Sequence, residues 1–340
     1  MKTGRKKAAA TEAAVEAARE DAPRWGAWSA QVALIAAAAG LLYVALASWS
    51  DVGQVAAVMR AFPAGEAAVV GVLVASGLAL RALRWHYYTR VLALGIPAVP
   101  SLLAFVAGFA FTATPGKAGE VVKSFLLKRR FGARVAHTAG TLVVERVTDL
   151  LAVLLIALAG LERGVGAGWV LASSALAVAL AIALLLSERM QRSILGLAAR
   201  LPGVRRVASR LPALLDSSRS LMSPGRLGVG LALATAAWSC EALALEVVLR
   251  ALGADVPRSG AFFAFAAATL FGVLSMLPGG LGGFEASMVL VLGELEVAKS
   301  TAVAATLLFR LGTLWAVSLL GIVALGLWVA LYGRVVASRS

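Results

Sequence analysis

Leu277-Pro278-Gly279-Gly280-Leu281-Gly282-Gly283-Phe284-Glu285 interrupts a long stretch of apolar sequence, and 163 residues earlier Pro115-Gly116-Lys117-Ala118-Gly119-Glu120 does the same. An arginine follows each proline at nearly one interval. Arg146 lies 31 residues beyond Pro115, and Arg310 lies 32 beyond Pro278. Proline ends a helix for want of a donor, and glycines let the chain turn sharply and approach a neighbour closely. A carboxylate just past such a break, then a charge inside the next apolar segment, is costly in lipid and marks a site or pathway. Two copies of the plan predict an all-α integral membrane protein with an internal repeat and a polar site near the bilayer midplane.

Composition agrees. Hydrophobic residues make up 60% of the 340 and charged residues 15%, with a mean hydropathy of +0.87. That balance lies far outside the range of soluble domains. Runs of spanning length fall near 30–48, 66–83, 139–160, 169–187, 228–249 and 298–331, with shorter ones at 101–113, 121–127, 259–277 and 284–293. The expected organisation is a polar cytoplasmic tail over 1–28, one polytopic membrane domain over 29–332, and a short tail over 333–340. The run after the first tail reads as an uncleaved signal anchor. A basic cytoplasmic loop is expected over 188–226, and repeat units over about 66–160 and 228–331.

The net charge of +14 reflects where the basic residues sit. Lys2, Arg5, Lys6, Lys7 and Arg24 precede the first run, and eight arginines from Arg189 to Arg226 crowd one loop. Basic flanks of spanning segments are what the positive-inside rule requires, so no nucleic-acid partner is inferred. Cys240 is the single cysteine, and His86 and His137 stand far apart without ligand spacing, so no metal or other cofactor is expected.

Charge counting also predicts topology. If 101–113 crossed alone, Lys128-Arg129-Arg130 and the arginine-rich loop would both lie outside. A hairpin over 101–127 that enters and leaves from the cytoplasm keeps both inside. A second hairpin over 259–294 then enters from the opposite face. The fold expectation is therefore about six spanning helices plus two re-entrant hairpins, in units of opposite direction. The last run is too long for an upright span and is expected to tilt or to bend at Gly312 or Gly321.

The candidate site residues follow from depth and pairing. The hairpin breaks are Pro115, Gly116 and Gly119 in one copy, and Pro278, Gly279, Gly280 and Gly283 in the other. A helix restarting beyond such a break aims free N–H groups into the cavity, which suits phosphate or carboxylate. Lys117, Glu120 and Lys123 add charge to the first copy. Glu145 and Asp149 are four apart on one helical face with Arg146 beside them, about two turns into their run. An ion pair tying that helix to the hairpin, such as Glu120 with Arg146, is one reading of the cluster. Arg310 is expected to find Glu285 across the second hairpin, with Glu241 and Glu246 as further candidates. Glu246 with Arg250 reads as a structural pair at i,i+4. Arg84-Trp85-His86-Tyr87-Tyr88 reads as an interfacial anchor, or as a lipid head-group contact. No nucleophile–base set or phosphate-binding loop stands out; Asp149 or Glu145 is the available base.

At these residues the chain resembles a known family. Leu80-Arg81-Ala82-Leu83-Arg84-Trp85, Pro115-Gly116 through Gly119-Glu120 with Lys123, Glu145-Arg146 with Asp149, Leu277-Pro278-Gly279-Gly280 through Glu285, and Arg310 look like the lysylphosphatidylglycerol synthase/flippase transmembrane domain family over roughly residues 28–332. The resemblance implies a multi-pass protein of the bacterial or archaeal cytoplasmic membrane, N-terminus inside, whose relatives move aminoacylated phospholipid between leaflets. The soluble aminoacyl-transferase domain of bifunctional members has no counterpart here, so no enzyme activity is expected. Lys123 stands where the family often has arginine, which weakens bidentate contact with phosphate.

The resulting expectation is a flippase-like translocase for an anionic phospholipid or a polyprenyl-phosphate-linked lipid. Lys117, Lys123, Arg146 and Arg310, with Arg84, would hold phosphate, while Glu120, Glu145, Asp149 and Glu285 position those cations or take a cationic head group. The rival readings are a membrane transferase acting on a lipid-linked donor, and an accessory protein that positions a lipid-modifying enzyme.

Overall fold

A computed structural model describes residues 25–112, 122–133, 135–160, 172, 176, 187, 211–275 and 277–333. Among them the chain is helical, without strands. Trp25–Ser50 forms α1. Asp51 caps the next helix, its carboxylate accepting from the N–H groups of Gly53 and Gln54, and Val52–Arg60 (α2) leaves α1 bent by 105°. Ala64–Val91 is α3 and Ala98–Gly108 is α4, which tightens into a 3-10 turn at Phe109–Phe111. Val122–Phe131 (α5) and Val135–Gly160 (α6) follow. Leu211–Leu221 (α7), Pro224–Ala251 (α8) and Arg258–Leu274 (α9) come next. Pro278–Gly280 is a 3-10 turn, Gly283–Glu294 is α10, and Lys299–Arg310 (α11) passes through a π-helical turn at Leu311–Trp315 into Ala316–Tyr332 (α12).

Among the described residues, three helices are long and apolar enough to cross a membrane: α3, α8 and the continuous Lys299–Tyr332. The bent pair Ala37–Ser50 and Val52–Arg60 passes the same criterion together. The expected span over 139–160 is present as the 26-residue α6, but Glu145, Arg146 and Asp149 lower its hydropathy and its polar face is buried. The run at 169–187, save three isolated positions, lies outside the described residues, as do Pro115, Gly116, Lys117, Gly119 and Glu120. The last run is one continuous helix, Lys299–Tyr332, whose hydrogen-bond ladder widens into a π-turn that contains Gly312.

Of the expected loop over 188–226, residues 188–210 lie outside the described residues and the rest contains a helix. Within it, α7 packs on α6, where Gly140 lets Ser217 and Ser218 come close and Ser218 Oγ donates to the Gly140 carbonyl at 3.1 Å. Leu214, Leu215, Ser218 and Leu221 recur at helical spacing and bury one face, and the flanking arginines mask that pattern in the sequence.

Two stretches repeat in backbone detail. At the end of α3, Leu92, Ala93 and Leu94 donate to the carbonyls of Tyr88, Arg90 and Thr89, and at the end of α8, Leu252, Gly253 and Ala254 donate to Val248, Arg250 and Leu249. Each is a C-terminal closure of the Schellman kind, with a positive φ at Ala93 (49°) and Gly253 (74°). Pro97 and Pro257 then begin α4 and α9 in almost the same conformation, again 160 residues apart. Contacts between elements are also reciprocal. α3 packs on α8, α4 on α12 and α9 on α6, and α2 on α11 and α7 on α6. α3 and α8 run antiparallel, because Tyr88 near the end of one lies against Gly230 near the start of the other.

Candidate functional site

The second hairpin shows why its break is glycine-rich. Gly279, Gly280 and Gly282 have φ of 63°, 68° and 86°, the left-handed region that side chains disfavour. A Cβ on Gly283 would come within 2.8 Å of Ser275 Cβ, so the returning limb α10 closes tightly on α9. Glu285 then accepts the Gly282 N–H on Oε2 at 2.7 Å, satisfying a donor at the start of α10. Its other oxygen takes Arg310 Nε at 2.7 Å, and Arg310 Nη2 reaches the Gly279 carbonyl at 2.8 Å. The guanidinium also lies 4.7 Å from the centre of the Phe284 ring. Tyr43 from α1 donates to Glu285 at 3.4 Å and accepts from Trp315 Nε1 at 3.2 Å. One arginine thus ties α11 to both sides of the break.

Around the first half the buried charges converge from four helices, α3, α5, α6 and α8. Arg84 of α3 lies 2.8 Å from Asp149 Oδ1 and donates to Thr148 Oγ1 at 2.9 Å. Trp238 Nε1 of α8 adds a 3.0 Å bond to the same oxygen, and Arg146 lies 3.7 Å from Asp149 Oδ2. One turn along α6, Glu145 Oε2 meets Lys123 Nζ of α5 at 2.8 Å. That ammonium rests 4.1 Å from the Trp85 ring and 5.0 Å from Phe105 of α4, while Trp85 Nε1 donates to the Ser101 hydroxyl at 3.0 Å. Arg81 spans to α8, 2.7 Å from Glu241 and 4.2 Å over the Trp238 ring. Oε1 of Glu145 and Nε of Arg84 are buried with no hydrogen-bond partner among the described residues.

Several expectations find their answer here. Arg310 pairs with Glu285, as proposed from the sequence. Glu241 pairs with Arg81 instead of Arg310, and Glu246 pairs with Arg250 and also with Arg258 at 2.9 Å. The reading of Arg84-Trp85-His86-Tyr87-Tyr88 as an interfacial anchor is corrected. Arg84 is 2% exposed and Trp85 and Tyr88 are 0%, because Asp149 and Thr148 supply polar partners inside the protein. Arg81, Tyr43 and Trp238 were not singled out as site residues. Arg81 had a signal, being one helical turn from Arg84 on an apolar segment. Of the breaks, Gly279 is brought to Arg310 through its carbonyl, while Gly280 packs on Gly272 and Gly283 on Ser275.

Each of Arg84, Lys123, Arg81 and Arg310 is matched to a carboxylate from a different helix. Removed from water, such pairs hold only while both partners are present. Among the described residues no three His, Cys, Asp or Glu side chains gather as metal ligands.

Comparison with known proteins follows this geometry. The family described as "Lysylphosphatidylglycerol synthase TM region" matches residues 29–321, which include every described member of the charged clusters. A UPF0104 membrane protein from Methanothermobacter thermautotrophicus is 28% identical over 273 residues, covering 73% of this chain and 81% of that one. A second UPF0104 membrane protein match from the same archaeon is 33% identical over 116 residues, 34% of this chain and 35% of the other.

Proposed function

The chain belongs to the lysylphosphatidylglycerol synthase TM-region family, and from that premise we propose that it is a translocase that carries a phosphate-bearing lipid between leaflets. The family ties it to membrane lipid metabolism; the substrate class proposed here is an anionic phospholipid or a polyprenyl-phosphate-linked lipid. The observation that carries the reading is the interior network in which Arg84, Lys123 and Arg310 are each held by an acid from another helix. Charges at such depth are expensive unless they serve a pathway or a bistable contact.

The mechanism is exchange of partners. A lipid phosphate entering from one leaflet takes over the contacts of Asp149 or Glu145 with Arg84 and Lys123, and Lys117 and Arg146 are proposed to assist. Arg310, beside the second break, receives it from the other side. Asp149, Glu145 and Glu285 re-form the resting pairs once the lipid has left, and Glu120 is proposed to assist in the first half. The reciprocal packing of α3 with α8, α4 with α12, and α9 with α6 supports two units of inverted direction that rock about a central site. The N-terminus is placed in the cytoplasm on the charge argument.

The test is lipid movement in proteoliposomes made with purified protein, using labelled phosphatidylglycerol and a labelled polyprenyl phosphate. Faster exchange than in empty vesicles, lost in Arg84→Ala, is the expected result. Equal rates with and without protein for both lipids reject the translocase.

A further inference from the structure

The two halves differ in one cavity. Between α3, α8 and the α11–α12 helix lies a groove of about 430 Å³ whose lining side chains are all apolar. Val70, Val74, Leu78, Val248 and Val317 form its buried floor, and Ala67, Gly71, Ala75, Leu311 and Leu320 form an exposed rim. It therefore opens sideways, toward lipid.

The corresponding place in the other half is filled. With the 160-residue offset of the helix ends, and the offset of 164 that relates Arg146 to Arg310, the groove's Phe62, Val248, Leu308 and Leu311 correspond to Met222, Tyr88, Val144 and Val147. Those four residues form a packed cluster, closed over by Leu215 and Leu221 of α7. Tyr88 fills the centre and lies against Gly230, which stands where the groove has Val70. Trp238 corresponds to Leu78, Leu231 to Gly71 and Thr148 to Gly312. The groove is thus hollowed by smaller residues at Ala67, Gly71, Ala75, Leu78, Val248 and Gly312, and the modest enlargements at Phe62, Val70, Val74, Leu308 and Leu311 do not refill it.

Size and chemistry limit the occupant. From Ala67 to Leu78 the groove follows α3 for about 16 Å. That is about half of a hydrocarbon core ~30 Å thick. A helix of about 10 Å diameter over that length takes up on the order of 1,000 Å³, more than twice the space. A single hydrocarbon chain confined to one leaflet fits both dimensions, and no lining group asks for a polar partner. The far wall of the groove is the π-turn that begins at the residue after Arg310, so groove and charged site share one turn of helix.

We propose that this groove seats one fatty-acyl chain of a phospholipid, taken from the leaflet on the α2–α3 side, while the head group approaches the polar interior. The assignment rests on the translocase reading for its place in a cycle, but the binding itself is measured independently of transport. Full-length protein in vesicles containing a phospholipid with a photoreactive group midway along one acyl chain is irradiated, digested and mapped by mass spectrometry. Labelling of the 67–78 and 308–320 segments several-fold above the outward face of α12 at Leu319, Ile322 and Val323 is expected. Writing the filled half into the groove, as Gly71→Leu with Leu78→Trp or as Val70→Gly with Val248→Tyr, should abolish that excess and leave the α12 labelling. The reverse change, Tyr88→Val, should open a new labelled site on 227–238, which keeps the idea testable should a filled variant fail to fold. Groove labelling no stronger than the outward face, or unchanged in folded filled variants, overturns the proposal. Preferential labelling by a photoreactive polyprenyl phosphate overturns the acyl assignment. A wild type that labels as expected yet moves no lipid rejects the translocase and leaves the groove site standing.

Discussion

Lys123 on α5 reaches Glu145 on the following helix, α6, at 2.8 Å, and α10 makes the same bridge to α11 with the charges exchanged, acid at Glu285 and cation at Arg310. The two bridges differ in what else they hold. Lys123 and Glu145 engage each other and little beyond, apart from the Trp85 and Phe105 rings. Glu285 also accepts the Gly282 N–H and Arg310 also grips the Gly279 carbonyl, so that pair is built into the break itself.

This difference predicts opposite outcomes for charge exchange. Lys123→Glu or Glu145→Lys alone leaves a buried unpaired charge, a loss of about 3–5 kcal/mol. The double exchange restores a pair and forfeits only the ammonium's contact with the Trp85 and Phe105 rings, so it should recover most of the loss. Glu285→Arg with Arg310→Glu should not recover, because the Gly282 donor and the Gly279 carbonyl lose their partners. Unfolding midpoints in detergent for the two sets of singles and doubles decide it; equal rescue in both contradicts the assignment.

For Arg84 and Asp149 stability and function are expected to separate. Asp149→Leu strands a buried guanidinium at a loss of about 3–5 kcal/mol, whereas removing both charges, as Arg84→Met with Asp149→Leu, is the exchange that leaves many proteins near their original stability. The double variant should therefore melt closer to wild type than either single. Its lipid movement should stay at the level of empty vesicles, since the phosphate contact is gone. Wild-type transport by a folded double variant would remove Arg84 from the pathway.

Local pattern carried some of these pairs and not others. Arg310 and Glu285 lie within one hairpin and its next helix, so their meeting follows from a short connection with a visible break. Arg84 meets Asp149 across a separation of 65 residues, and nothing near Arg84 in the chain announces an acid. Its neighbours Trp85, Tyr87 and Tyr88 carry the composition of a membrane interface, which is why they read as an anchor while tertiary contacts bury most of them. Lys123 was legible as a costly charge, but its partner was not, because Glu145 and Arg146 point to different sides of one helix. The helix Leu211–Leu221 was hidden by a charge pattern that describes where a segment lies and says nothing of whether it folds.

The second break makes its own prediction. Gly280 has a φ of 68°, and a Cβ there would meet the Gly272 backbone at 3.2 Å. Gly280→Ala therefore combines a left-handed conformation with a crowded backbone. A loss of about 1–3 kcal/mol is expected. Arg310 should suffer with it, because its Gly279 contact depends on that turn. Protease nicking of the 275–283 segment, faster in Gly280→Ala than in wild type, is the readout.

Two glycines on α12 separate close packing from mere composition. Gly321 faces the Phe109–Ala110 backbone at the end of the first hairpin limb, so closely that a methyl group cannot be added without moving one helix away from the other. Gly326, more than a turn further along, has nothing within 4 Å of the place where a Cβ would stand. Gly326→Ala gives up only the flexibility that glycine confers on a helix, and a gain of about 0.5–1 kcal/mol is expected. Gly321→Ala gains the same local term and loses the α4–α12 contact, an overpacking cost of about 1–3 kcal/mol. Because that contact joins the first hairpin to the second half, Gly321→Ala should also slow lipid movement while Gly326→Ala leaves it unchanged. Thermal midpoints moving in opposite directions, together with the split in transport, are the expected signature. Two substitutions behaving alike would mean that the helices do not meet at Gly321.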